Sequence, residues 1–284
     1  MEKLIHALEI CHETCSKKDF LSTGYPELDS LTGGLRRGDL SVIASRPSIG
    51  KTAFALNIVR NMALVPENPP CIVFFSIEMT AKQIAERLLR LESGVTEKVF
   101  QNLNQNNTTR ISDAVSRFAD AKIFIDPSGG ISMDEIREQC LNLHQKHKID
   151  IIVIDYLQLI RRKFQADIQQ QFSEIIQELK QLACELNVSV LLLVQLRRLS
   201  GEMTEMPLEE LFGEAKGVVQ FANVIVLLHR ERKDGVKRKA LAIVAQATNG
   251  QNGVVAMQFD PENQKFEIAD TCENYNENEK EKDA

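Results

Sequence analysis

Ser45-Arg46-Pro47-Ser48-Ile49-Gly50-Lys51-Thr52 is the stretch whose residue types and spacing point most directly to chemistry. It lies between an apolar run that reads as a strand and a segment that reads as a helix. In that setting the loop amides and the first turn of the helix point together at an anion, which is the arrangement of a phosphate-binding P-loop. The nucleotide-binding set is then Ser48, Ile49, Gly50, Lys51, Thr52 and Ala53. The Lys51 ammonium would reach the β- and γ-phosphates, and the Thr52 hydroxyl would hold Mg²⁺. Ser45 stands where the usual pattern has its first glycine. A Gly-Lys-Thr triplet alone also occurs by chance, so the flanking strand and helix carry the reading.

Three further residues sit at the ends of apolar runs. Asp155 closes Ile151–Ile154, where a carboxylate can hold Mg²⁺ through water. Glu78 follows Cys71–Phe75 and can orient a water against the γ-phosphate as general base. Gln195 follows Val190–Val194 and can sense the γ-phosphate, passing its state to the loop at Arg197 and Arg198. Each has a bland alternative: a carboxylate capping a strand end, or a Glu opening a helix. Together with the P-loop they describe an ATPase with ATP and Mg²⁺ as cofactors, Lys51, Glu78 and Gln195 being the catalytic set.

These groups need a scaffold that brings strand ends together. Leu40–Ala44, Cys71–Phe75, Lys122–Ile125, Ile149–Ile154 and Ser189–Val194 are short apolar runs separated by helical patterns. The clearest helix spans 168–186, with Ile168, Phe172, Ile175, Ile176, Leu179, Leu182 and Leu186 on one face. Continuous apolar strands alternating with helices predict an α/β fold, a mostly parallel sheet covered on both faces. After Gly217 the runs Val224–Leu228, Ala240–Val244 and Val254–Gln258 are joined by turns at 233–235 and 249–253. They are expected as antiparallel additions at one sheet edge. Residues 3–17 read as an amphipathic helix, and the polar, mostly acidic tail from 269 as disordered. The expected organisation is a helix over 1–20, an ATPase domain over 21–268 and a tail over 269–284.

The chain has 284 residues, 43% of them hydrophobic, and a formal net charge of −6. That balance argues against a globally basic nucleic-acid coat, but leaves room for a few local cations around a strand. Three basic groups stand out: Arg161-Arg162-Lys163, Arg197-Arg198 and Lys237-Arg238-Lys239. The first two are expected on loops beside the nucleotide, and the third reads equally well as a solvated hairpin. The six cysteines form no CxxC pair, and Cys11, His12 and Cys15 have no second half with ligand spacing. There is no signal peptide and no run long enough to span a membrane, so a cytoplasmic protein is expected.

Thr23–Asp29, Ala44–Asn57, Phe75–Met79 and Ile154–Ile160 resemble the motor domain of the DnaB-type replicative DNA helicases. The resemblance covers about residues 1–268. It implies a RecA-like fold and ATP-driven 5′→3′ translocation on single-stranded DNA by a homo-hexameric ring. It places Arg87 near the adenine, and it likens the helix at 3–17 to the linker helix that docks on a neighbouring subunit. Three departures follow from the same resemblance. The family's amino-terminal, primase-engaging domain is expected to be absent. The family's Lys-x-Arg-Asn-Gly stretch, which reaches into the next subunit's site, reads Gln246-Ala247-Thr248-Asn249-Gly250, so both cations are missing; such a finger is worth about 10³–10⁵ in rate. Lys237–Lys239 lie about 30 Å away along an extended strand. The DNA-binding loop's Arg-Glu-Ser-Gly is Gly213-Glu214-Ala215-Lys216, leaving Lys216 for a phosphate contact. The expected DNA-binding residues are Arg161, Arg162, Arg197, Arg198 and Lys216. The leading expectation is a helicase-family ATPase. Its rival is a non-catalytic ATP-binding accessory that co-assembles with a replicative helicase. A recombinase-like or clock-like ATPase is disfavoured by the four stretches.

Overall fold

The computed structural model describes residues 20–65, 67–101, 104–162, 167–197, 206–230 and 238–269. The expected helix at 3–17, the turn at 233–235, Lys163, Arg198, Lys237 and the tail from 270 lie outside them.

A small antiparallel pair, β1 (Phe20–Leu21) and β2 (Leu35–Arg36), brackets α1 (Pro26–Thr32). The main sheet comprises β3 (Leu40–Ser45), β4 (Ile72–Ser76), β5 (Ile123–Asp126), β6 (Ile151–Asp155), β7 (Ser189–Gln195), β8 (Val224–Arg230), β9 (Arg238–Ala247), β10 (Gly253–Asp260) and β11 (Lys265–Ile268). Its order is β11-β10-β9-β8-β3-β7-β6-β4-β5. The six strands from β8 to β5 run parallel, and β9, β10 and β11 continue antiparallel. One expectation needs correction here. Val224–Arg230 is a parallel partner of β3, not an antiparallel addition. The chain reaches it through the short helices α8 (Leu208–Phe212) and α9 (Gly217–Phe221), which return it to the amino-terminal edge of the sheet as a crossover must.

The remaining helices are α2 (Lys51–Ala63), α3 (Ala81–Ser93), α4 (Glu97–Gln101), α5 (Gln105–Arg117), α6 (Met133–His147) and α7 (Ile168–Leu186). Local sequence fixes their starts. Thr80 and Gln83 form a capping box before α3, and Ser132 and Glu135 form another before α6. Asp167 caps α7 by accepting from the Gln170 amide. Strands β3, β4 and β6 are buried along their whole length, as the apolar runs predict. Alternate residues serve two cores. Leu40, Val42 and Ala44 join Ile176, Leu179 and Leu182 of α7 on one face. Ile43, Val153 and Leu193 join Phe54, Ile58 and Met62 of α2 on the other. Each large aliphatic side chain taken fully out of water contributes about 1.5–3 kcal/mol, so the parallel centre is rigid.

The Thr23–Asp29 stretch is structural. The Asp29 carboxylate accepts from the Thr23 amide (3.0 Å) and hydroxyl (2.7 Å) and from the Ser22 hydroxyl (2.6 Å). Tyr25 stacks on Phe54 of α2 and donates to the Phe266 carbonyl. The buried Asn57 completes the tie between α2 and the sheet edge. It donates to the Gln264 carbonyl (2.9 Å) and accepts from the Phe266 amide (3.0 Å). Asn57→Leu strands both backbone groups, each at about 1–3 kcal/mol. Urea unfolding is expected to show a lower midpoint with an unchanged slope; an unchanged midpoint would mean the tie carries no stability.

Candidate functional site

The parallel register sets the site. Ser45 pairs with Gln195 and Ser76 with Asp155, so the carboxyl ends of β3, β7, β6 and β4 form one edge. Where β3 ends, Ser48 turns through φ +65° and Gly50 through φ +111° before α2 begins at Lys51. A Cβ at Gly50 would meet Phe266 Cζ at 3.3 Å. Glycine is therefore required by backbone and neighbour alike. The turn leaves the first amides of α2 facing the space above the sheet, as an anion site needs.

That space is a cavity of about 520 Å³. Ser48, Gly50, Lys51, Thr52 and Ala53 line it, together with Glu78, Gln195 and Arg87. Ile49 is the exception among the expected loop residues: its side chain is buried in the core with Phe54, so only its backbone faces outward. The lining carries five cations (Arg46, Lys51, Arg87, Arg230, Arg238) and one carboxylate, Glu78. In a chain of net charge −6, this local excess selects a polyanion. A cavity of similar size beside Gly24 and Leu64 lacks that character, because its Arg60 and Arg117 both pair with the buried Glu92.

Lys51 and Asp155 are buried charges of opposite sign at the site, and Arg230 is a third buried charge there. The Lys51 ammonium sits 4.2 Å from the centre of the Tyr156 ring. Burial pulls the Lys51 pKa down, opposed by the nearby carboxylates of Asp155 and Glu78. Burial pushes the Asp155 pKa up, opposed by Lys51, the Thr52 hydroxyl and Arg87. Thr52 is close enough to favour the charged carboxylate, yet neither Asp155 oxygen has a hydrogen-bond partner of normal geometry. A buried carboxylate without a partner, beside a hydroxyl, is a hard-oxygen pair suited to Mg²⁺. Among the described residues no cluster of three or more His, Cys, Asp or Glu stands ready to hold a metal. A cation here would take its other ligands from water and phosphate.

Gln195 is anchored from the Asp155 side. Gln158 donates to the Gln195 carbonyl (2.8 Å) and accepts from the Gln195 amide (3.1 Å). Glu78 is exposed and precedes the Thr80 cap, so it lies outside the first turn of α3.

The candidate DNA-contact residues separate into two groups. Arg197 is exposed and packs against Gly213, which brings it to the segment holding the exposed Lys216. Arg161 and Arg162 do not line the P-loop cavity, contrary to expectation. Arg161 pairs with Glu135 (2.8 Å), and Arg162 lies over Phe172. Both border a smaller cavity with Asp134, Glu174 and Glu178. Two arginines that sequence reasoning missed reach the site, Arg230 from the end of the parallel strand β8 and Arg238 from the antiparallel β9. Arg230 donates to the Ser48 carbonyl at 2.8 Å and stacks 4.1 Å over Phe259. Arg238, read as part of a solvated hairpin, lines the cavity beside it. The signal available in advance was only that Arg230 follows an apolar strand end, as Glu78 and Gln195 do.

Residues 21–268 match the family model of the DnaB-like helicase C terminal domain. The chain belongs to this family. It is 35% identical over 255 residues to the replicative DNA helicase DnaC of Bacillus subtilis, covering 87% of this chain and 56% of that one. It is 36% identical over 272 residues to the replicative DNA helicase DnaB of Geobacillus stearothermophilus, covering 91% and 59%. The chain thus spans less than two thirds of the length of these relatives. Among solved structures, a DnaB-like replicative helicase, described with its interactions with primase, superposes with a TM-score of 0.81 at 27% identity, covering 93% of this chain and 68% of that one. A second, described as an ATPase domain, gives 0.84 at 27% identity, covering 95% and 99%. The RecA-like fold of the DnaB-like helicase domain is therefore shown. No helix among the described residues is long and apolar enough to cross a membrane.

Two outcomes follow from the geometry. Gly50→Ala forces a side chain into a strained backbone against Phe266, and is expected to cost about 1–3 kcal/mol in chemical denaturation. Because burial raises the folded pKa of Asp155, its protonated form favours the fold at acid pH, and that contribution is lost as pH rises through the folded value. Without nucleotide or metal, Asp155→Asn is expected to melt above the wild type at pH 7, the gap closing as pH falls towards about 4. Equal melting at pH 7 would contradict the assignment of an unpaired buried charge.

Proposed function

We propose that the domain binds Mg-ATP on the Ser48–Ala53 loop and hydrolyses it to drive movement along single-stranded DNA, as a subunit of a helicase ring. The observation that carries this reading is the convergence of Lys51, Thr52, Glu78 and Gln195 on one cationic cavity, with the unpaired Asp155 beneath it. The amides of Ser48, Ile49, Gly50 and Ala53 cradle phosphate. Lys51 neutralises the phosphates from a buried position where its charge is screened less than it would be in water. Thr52, and Asp155 through water, hold Mg²⁺, which screens the phosphate charge. Glu78 accepts the proton of the attacking water, Gln195 contacts the γ-phosphate, and Arg87 lies towards the base. Arg197 packs against Gly213, three residues before Lys216, and both side chains are exposed, which supports them as contacts to a DNA backbone. Arg161 and Arg162 contribute there only by leaving their present partners.

One observation favours a second reading, an ATP-binding partner that enters a helicase ring without turnover of its own. Gln246 donates to the Ala222 carbonyl (2.7 Å) and Thr248 to the Asn223 carbonyl (3.1 Å). Both side chains are thus spent inside their own subunit and present no cation to a neighbour.

Steady-state ATP turnover with and without single-stranded DNA separates the readings, with Glu78→Gln as control. The first expects turnover that rises with DNA and is lost in Glu78→Gln. The second expects binding without turnover. Lys51→Ala is expected to abolish ATP binding in a direct titration, and retained affinity would overturn the site assignment under either reading.

A further inference from the structure

Arg238 is a cation in the cavity that the fold itself does not use. It opens β9, and its register partner on β10 is Phe259. Directly paired residues on antiparallel strands share a sheet face. Phe259 packs on the core that contains α2, so Arg238 projects from that same face. Ala240, two residues along, is buried in that core, as the alternation requires. Arg230 reaches the same place from β8, with its guanidinium over the Phe259 ring. Its donor to Ser48 commits it to the loop backbone. Arg238 has no such commitment. It is half-buried and lines the cavity, and its side chain makes no hydrogen bond or ion pair among the described residues. Its Nε is shielded from solvent and without an acceptor. A shielded donor without an acceptor is costly, and a planar guanidinium matches a phosphate in two directions at once.

We propose that Arg238 is a phosphate-binding residue of the nucleotide site, acting from within the same chain. This rests on the reading of the cavity as a nucleotide site. It adds to the P-loop a cation from the antiparallel extension, so that β9 takes part in nucleotide binding and not only in closing the sheet. It also ties occupancy of the cavity to the start of β9.

The test is a titration of the full chain with ATP, ADP and adenosine, for wild type, Arg238→Gln and Arg238→Lys, with thermal melting of each unliganded variant. Arg238→Gln is expected to weaken ATP and ADP by about tenfold and adenosine not at all. Arg238→Lys is expected to fall between, with a shallower salt dependence of ATP binding in Arg238→Gln than in wild type and melting lowered in neither. Unaltered ATP affinity in Arg238→Gln overturns the proposal while leaving the nucleotide site intact. An equal loss in both variants accompanied by lowered melting also overturns it, since Arg238 is then structural. Wild type that binds neither ATP nor ADP overturns the nucleotide site and this inference together.

Discussion

Lys51 and Asp155 are opposite charges held out of water at the carboxyl edge of one sheet, and the rest of the site is organised around them. The Lys51 ammonium rests over the Tyr156 ring, while the Asp155 carboxylate is left without a partner of normal geometry. Burial lowers the Lys51 pKa and raises that of Asp155, and the carboxylate oxygens lack partners. A fold that keeps such groups needs a rigid frame, because a mobile one would let water in or the charges out. The parallel centre supplies that frame. Strands buried on both faces fix the ends of β3, β4, β6 and β7 relative to one another, and α2 is bolted to the sheet edge through Asn57 and Tyr25.

The antiparallel extension is more than a cover for the sheet edge. An aromatic series runs behind the loop: Tyr25 stacks on Phe54, Phe54 meets Phe266 edge-on, and Phe266 tilts against Phe259. Arg230 lies over the last ring and holds the Ser48 carbonyl. The turn between β10 and β11 closes the far side of the cavity with Pro261 and Gln264, and Arg90 of α3 donates to its Glu262 carbonyl. The loop is therefore braced by groups about 180 residues away in sequence.

That distance explains what the sequence disclosed and what it hid. The P-loop and the parallel strands are local signals: an apolar run, a Gly-Lys-Thr triplet, then a helix. Glu78, Asp155 and Gln195 follow from one rule, that parallel sheets present ligands at strand ends. The direction of Val224–Arg230 was not legible, because the α-helices among the described residues of the connection before it are five residues long, with too few turns to show a period. Strand β11 was missed because Lys265-Phe266-Glu267-Ile268 offers one buried position. Arg238 was hidden for a different reason. A basic triplet reads as solvated, and only the register opposite Phe259 brings its second residue to the cavity. Arg161 and Arg162 show the converse, since adjacency to the Asp155 strand did not place them at that cavity.

On this reading the buried charges of Lys51 and Asp155 are completed by a magnesium-bound nucleotide. The most direct measurement is a calorimetric titration of ATP into the wild type and Asp155→Asn, each with and without Mg²⁺. Mg²⁺ is predicted to tighten ATP binding by about tenfold or more in the wild type. Asp155→Asn is predicted to lose most of this difference while still binding metal-free ATP. Wild-type binding that is indifferent to Mg²⁺, or a magnesium effect that survives unchanged in Asp155→Asn, would contradict it.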